Sequence, residues 1–255
     1  DLQSVMVPFG LCDILEIHTF PGASSITRPF RMEMSGIPVE GPREENLCFR
    51  AWHLFTEKVP LPPLRAHLHK QIPPGAGLGG GSSNGTTMLT GLNRLADYPL
   101  GMKELESMAA SLGSDCPFFL YGRPMRAEGR GEILSELSSI PAPLHMVVLF
   151  PGIHISTAKA FSRVVPERRT VDLGQLILKP PGKWEELVTN DFEPFLFRKY
   201  PLLRKLREGL LREGALYASM TGSGSAIYGL FSSPPALPEE LQEFFLWQGT
   251  LFEPS

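Results

Sequence analysis

Cysteine is scarce in this chain: Cys12, Cys48 and Cys116 are the three in 255 residues. They are odd in number and far apart. That argues against a disulfide frame or a zinc site and fits a reducing compartment. Neither charge sign is in excess, since the formal net charge is -3. The sequence therefore has no electrostatic footprint for nucleic acid or an acidic membrane. Long apolar runs are also missing. Met146–Phe150 is typical of the longest, well short of the ~20 residues a membrane helix needs. No charged and then apolar leader opens the sequence, so no signal peptide is expected. The expectation is a cytoplasmic protein, monomer or weak homodimer, with no nucleic-acid or membrane partner. An apolar content of 42% with 20% charged residues describes an ordinary globular chain, long enough for one large domain or two smaller ones.

Glycine is abundant and concentrated. Residues Ile72 to Asn84 read I-P-P-G-A-G-L-G-G-G-S-S-N and lead into a helical pattern. Glycine reaches positive φ without a Cβ penalty, so successive N–H groups can curl around an anion. The helix start behind them adds free N–H groups and the positive end of its dipole. A polyphosphate is the natural tenant. The Walker pattern fails, because Ser82 and Ser83 stand where Lys and Ser/Thr are required. The dinucleotide fingerprint fails on glycine spacing and on the absence of a following βαβ unit. A plain flexible linker would not sit between an alternating strand and an apolar helix, with Pro73-Pro74 at its mouth.

Strand signals lie at 26–34, where Ile26, Phe30, Met32 and Met34 share a side, and at 65–72. In the second, Ala66, Leu68, Lys70 and Ile72 share one face and His67 and His69 the other. Helical spacing marks Leu47–Phe55, a helix with Met88, Leu89, Leu92 and Leu95 capped by Ser82 or Ser83, and Met102–Leu112 with Gly113 as its C-terminal cap. Residues Gly113–Leu120 then read as a turn into an apolar strand. Ser138–Pro143 suggests a domain seam, with His145–Phe150 as the next strand. A helix over Leu202–Leu211 is stopped by Gly214, and a second glycine loop, Met220–Ala226, precedes the strand Ile227–Phe231. Without regular βα alternation, the expected class is α+β with two lobes, domain 1–140 and domain 141–255.

These segments resemble the GHMP kinase superfamily. Pro73–Ser83 is similar to its phosphate-loop motif and Met220–Ala226 to its C-terminal glycine motif. Within the superfamily, the branch acting on 4-diphosphocytidyl-2-C-methyl-D-erythritol fits nearly the whole chain. Its GLGGGSS core resembles Gly77–Ser83, its G-(A/S)-D-x-P-x-F segment Gly113–Phe119, its A-E-G-x-G-E-x-L hairpin Ala127–Leu134, and its P-G-x-x-x-x-T-x-x-x-F segment Pro151–Phe161. The resemblance implies an S5 domain 2-like N-terminal lobe and a ferredoxin-like C-terminal lobe. It implies ATP-dependent phosphorylation of that substrate's 2-hydroxyl in the non-mevalonate isoprenoid pathway. It also implies a preceding A-K-x-N-x-x-L segment and a D-G-(Y/F)-H segment, neither of which is in this sequence. Asp1–Val5 matches the residues just after that histidine, so the lysine implied to steady the transferred phosphate has no counterpart here.

Asp115 is the expected general base, because an alcohol must lose its proton as the phosphoryl group arrives; the bland alternative is a turn aspartate. Pro73, Pro74, Gly75, Ala76, Gly77, Leu78, Gly79, Gly80, Gly81, Ser82 and Ser83 are expected to hold the ATP phosphates. Mg2+ is expected to neutralise them without a dedicated carboxylate cluster. The resemblance implies adenine- or ribose-side contacts at Lys70 and Asn46, against a solvated strand lysine and a helix N-cap. It implies cytosine stacking at Phe161, against core packing, with Thr157 lining the same pocket. Gly222 and Ser223 are expected to close over phosphates or substrate, against a simple turn. Cys116 reads as a small buried thiol, and His67 and His69 as surface histidines lacking a third metal ligand. The competing functions are a kinase for another alcohol, such as homoserine or mevalonate, and a non-catalytic nucleotide-binding protein.

Overall fold

The computed structural model describes residues 2–19, 29–137, 144–164 and 172–251. In chain order its strands are β1 Leu2–Met6, β2 Ile14–Thr19, β3 Phe30–Gly36, β4 Leu64–Lys70, β5 Met125–Gly129, β6 Ile133–Glu136, β7 Leu144–Leu149, β8 Tyr217–Met220, β9 Ile227–Phe231 and β10 Phe245–Leu251. The helices that bear on the site are α1 Leu47–Lys58, α2 Gly80–Leu95, α3 Met102–Leu112 and α4 Thr157–Phe161. The strands form sheets ordered β1-β5-β6, β2-β4-β3 and β10-β7-β9-β8. The architecture is α+β.

Strand β4 sits between β2, antiparallel, and β3, parallel. Its period-2 sequence buries Leu64, Ala66, Leu68 and Lys70 and turns Arg65, His67 and His69 outward. The buried face meets α1, α2 and α3 through Ala51, Phe55, Met88, Leu89, Leu92, Leu105 and Met108. Each large apolar side chain so buried stabilises the fold by roughly 1.5–3 kcal/mol. Strand β7 is buried on both faces, which is why its sequence is a continuous apolar run. Leu203, Leu206 and Leu210 of the helix Pro201–Arg212 cover one face. On the other lie Trp184 and Ala76, with Val5, Val7 and Phe9 packed against them. The rings of Phe9 and Trp247 are 5.1 Å apart. The start of the chain and the glycine loop thus plug into the core of the second half.

Several expectations shift. The strand at 26–34 is β3, Phe30–Gly36; residues 26–28 lie outside the described set, as does the proposed seam at 138–143. Neither Ser82 nor Ser83 caps α2. The N-cap is Gly79 in a left-handed conformation, and the Ser83 N–H already donates to Gly79 O. Glycine's freedom at positive φ lets the helix begin earlier than a hydroxyl cap would place it. Gly113 does end α3, but with φ 175°, an extended geometry any residue adopts. Residues after it do not form a strand. Cys116–Leu120 is a 3-10 turn, with Pro117 near its start supplying a fixed φ and no N–H. The expected hairpin is present as β5–β6, with Ala127 opposite Leu134. Among the described residues, no helix is long and apolar enough to cross a membrane.

Candidate functional site

Gly75, Gly77 and Gly79 carry φ values of 73°, 76° and 70°. Alternating with residues of ordinary φ, they bend the loop into a nest. The N–H groups of Gly77, Leu78 and Gly79 meet no acceptor among the described residues. The first turn of α2 adds the N–H groups of Gly80, Gly81 and Ser82, which a helix start leaves unpaired. Gly75 and Gly77 are exposed and Ala76 is buried, so the loop has an open side and an anchored side. On the anchored side, Thr221 Oγ1 donates to Ala76 O at 2.9 Å and the Ala226 N–H donates to the same carbonyl at 3.0 Å. A Cβ on Gly77 would lie 2.4 Å from Thr221 O. The second glycine loop, which links β8 to β9, therefore touches the first.

Glycine is required at Gly77 for both reasons, φ and space, whereas Gly81 is helical with nothing within 4 Å of an added Cβ. Gly77→Ala should lower stability by roughly 1–3 kcal/mol through left-handed strain and the clash with Thr221. Gly81→Ala should raise the stability of the free protein by about 0.5–1 kcal/mol. Denaturant titrations of the two variants check this, and a Gly77→Ala protein as stable as the parent would refute the clamp.

Lys70 is 4% exposed and spent inside the protein. Its ammonium pairs with Asp13 and donates to Asn84 Oδ1 at 2.9 Å. Asn84 Nδ2 donates to Asp13 at 3.0 Å, and the other Asp13 oxygen accepts the N–H groups of Gln71 (2.7 Å) and Ile72 (2.9 Å). Lys70 is thus no solvated lysine. It locks the root of the glycine loop to α2. Burial alone would raise the Asp13 carboxyl, but the bonds from Lys70, Ile72, Gln71 and Asn84 outweigh it and hold the carboxyl below its ordinary value.

Asp115 precedes the 3-10 turn Cys116–Leu120 and makes no side-chain cap bond. The next residue ties it to α2: Thr86 Oγ1 donates to Cys116 O at 2.8 Å, and the buried Cys116 thiol meets the Ser82 hydroxyl. Phe119, on the same turn, lies against Gly79. The Asp115 carboxylate accepts Ser114 Oγ at 3.3 Å, with Gly131 of the β5–β6 hairpin beside it. The residue is exposed as a whole, yet protein crowds its carboxyl. Desolvation raises its pKa above the ordinary carboxylate value, and the Ser114 bond offsets part of the rise. A carboxylate with open acceptor sites and raised basicity, on a segment tied to α2, has the makings of a proton acceptor.

The other expected residues fall into two places. Thr157 Oγ1 and Ser223 Oγ are 3.3 Å apart, so two substrate-side candidates meet. Gly222 adjoins them with φ 48°. Phe161 is 50% exposed and rests edge-on against Phe192 at 5.0 Å, so it is not core. Asn46 caps α1 by accepting the Cys48 N–H at 2.9 Å, with its amide also near Met34 Sδ. Ser35 Oγ bonds both His67 and His69, at 3.0 and 2.9 Å. Among the described residues, no group of three or more His, Cys, Asp or Glu is placed to hold a metal. Sequence reading missed Asp13, Asn84 and His154, whose ring lies against Gly75. None of them carries a local signal, since each acts across the fold.

Comparison with known proteins shows the family. The family model for the GHMP kinases N terminal domain matches residues 46–123 and that for the GHMP kinases C terminal matches residues 173–245. The chain is 38% identical to the 4-diphosphocytidyl-2-C-methyl-D-erythritol kinase of Bacteroides thetaiotaomicron over 239 residues, covering 94% of this chain and 86% of that one. It is 38% identical to the enzyme of the same name from Porphyromonas gingivalis, covering 98% and 91%. A crystal structure of a 4-(cytidine 5'-diphospho)-2C-methyl-D-erythritol kinase superposes with a TM-score of 0.77 at 32% identity, covering 99% and 90%. A homoserine kinase from Cytophaga hutchinsonii, at 19% identity and a TM-score of 0.61, shares the fold.

Proposed function

The chain belongs to the GHMP kinases, among the 4-diphosphocytidyl-2-C-methyl-D-erythritol kinases, and from that premise we propose how its residues carry the reaction. It phosphorylates the 2-hydroxyl of 4-diphosphocytidyl-2-C-methyl-D-erythritol, with ATP as donor, in isoprenoid precursor synthesis. The phosphates lie in the nest Pro73–Ser83, held by main-chain N–H groups, with Ser82 and Ser83 adding hydroxyls. Asp115 accepts the proton of the attacking alcohol. The observation that supports this assignment is the Thr86–Cys116 bond, which ties the segment bearing Asp115, whose carboxylate has open acceptor sites, to the second turn of α2.

The Ser82 and Ser83 hydroxyls, in the first turn of α2, are hard oxygen donors of the kind Mg2+ takes alongside nucleotide phosphates. When bound, the ion neutralises phosphate charge. Asn46 and Met34 line the adenine side, while Lys70 supports the loop from beneath without touching nucleotide. Phe161 stacks on the cytosine, and Thr157, Ser223 and Gly222 border the acceptor. With the chain divided into 1–140 and 141–255, the acceptor lies between the halves. The same reading takes the protein as cytoplasmic, a monomer or weak homodimer, without nucleic-acid or membrane partners; its three free cysteines fit that compartment.

The test is ATP turnover by the natural protein with the cytidyl acceptor, homoserine and mevalonate in parallel. Turnover with the cytidyl acceptor alone is the expected result; turnover with either of the others alone would overturn the reading. In the same assay Phe161→Ala should raise the acceptor KM by about 5- to 150-fold, the worth of ~1–3 kcal/mol of base stacking. Its thermal midpoint should hold, because half of the ring is already exposed.

A further inference from the structure

The segment ahead of the helix Glu193–Lys199 grips the second glycine loop at several points. Asn190 Nδ2 donates to Met220 O at 2.9 Å and to Gly222 O at 2.8 Å. Its Oδ1 accepts the Phe192 N–H at 2.9 Å, so both ends of the amide are used and its orientation is fixed by its partners. Three residues on, Glu193 accepts the Met220 N–H and Ser219 Oγ, each at 2.8 Å. Between them, Phe192 carries the edge-on contact with Phe161. One short stretch therefore holds the end of β8, the turn at Gly222 and the backing of Phe161.

The gripped loop has its own attachments. Thr221 is bonded to Ala76 in the phosphate loop, Gly77 lies against Thr221 and Gly224, and Ser223 meets Thr157. Gly222 and Gly224 have φ of 48° and 87°, and glycine backbone is the freest there is to move. Nothing in the glycines themselves selects one conformation. The Asn190 amide does, by taking two carbonyls that would otherwise turn with the loop.

Resting on the kinase reading above, we propose that Asn190 is a positioning residue: it holds the Gly222–Gly224 loop against the phosphate loop and, through Phe192, sets Phe161 and Ser223 as one unit facing the acceptor. The nucleotide and acceptor sides of the site are thereby kept in register by a residue that contacts neither. A 1 Å displacement at such a site costs up to about 10²-fold in rate.

Asn190→Asp is the sharpest variant. It keeps the size and the acceptor for Phe192, and points a carboxylate at two carbonyls. Asn190→Ser, neutral and smaller, decides the matter if the first does not fold. Two readouts are taken on the natural protein. The acceptor KM should rise about tenfold while the ATP KM stays within about twofold. Amides of Thr221–Ser225 should exchange with deuterium about tenfold faster without ligand, while those of α2 hold. A merely structural role would lower the active fraction and the apparent kcat and leave both KM values in place. That result, or unchanged loop exchange, overturns the proposal. If the parent protein did not phosphorylate the cytidyl acceptor, the kinase reading would fail on its own, and the exchange measurement would still decide whether Asn190 holds the loop.

Discussion

Asp115→Asn is expected to lower kcat by about 10²–10⁴-fold, the range seen when a positioned general base is removed. Asparagine keeps the size and the Ser114 contact but has no lone pair basic enough to take an alcohol proton. ATP affinity should hold, because the nest is made of backbone groups from Gly75 to Ser82 that the substitution does not touch. Stability should hold or rise. The Asp115 carboxyl has its pKa raised by desolvation, so the folded protein binds the proton more tightly than the unfolded chain. Such a group contributes most below its unfolded pKa and loses that contribution as pH rises through the folded value. At neutral pH the ionised form is a burden that asparagine lifts. Activity runs the opposite way: it needs the ionised form and should fall as pH drops through the same raised value. Steady-state kinetics, ATP titration and thermal melts on one preparation read all of these. Full turnover by Asp115→Asn would sink the base assignment.

That opposition between stability and activity is what a site looks like when its geometry is set by function. It also separates what the sequence could disclose from what it could not. The alternation of β4 was legible because one face of a sheet had to be buried, and so were the amphipathic faces of α1 and α3. The nest was legible because glycine at such density serves little else. Four things were not. The start of α2 reads as a serine cap, since left-handed Gly79 as an N-cap has no side-chain signature. The turn after Asp115 passed for a strand because Phe118, Phe119 and Leu120 are apolar in sequence, and only packing against α2 decides between the two. The partners of Lys70 lie 57 residues upstream and 14 downstream, a pairing created by sheet register rather than spacing. Asn190 is hidden in the same way, being 32 residues from Gly222.

The Asp13–Lys70 pair should therefore carry the largest stability effect in the first half. Asp13→Ala would leave the Lys70 ammonium buried with only Asn84 Oδ1 as partner, and breaking one side of a buried pair costs roughly 3–5 kcal/mol. It would also release the Gln71 and Ile72 N–H groups that fix the root of the nest, so the ATP KM should rise in whatever protein still folds. Replacing both charges, as in Asp13→Ala with Lys70→Met, should recover much of the loss, because an apolar side chain of similar length needs no counter-charge. Acid gives an independent check. With the Asp13 carboxyl held below its ordinary value, its contribution is present above the unfolded pKa of about 3.9 and disappears as pH falls through the lower folded value. The parent should lose this increment in acid, and the double variant, lacking the carboxyl, should not. Denaturant titrations at neutral pH and near pH 3 decide it. Equal acid sensitivity in both proteins would show that the pair is not what anchors the loop.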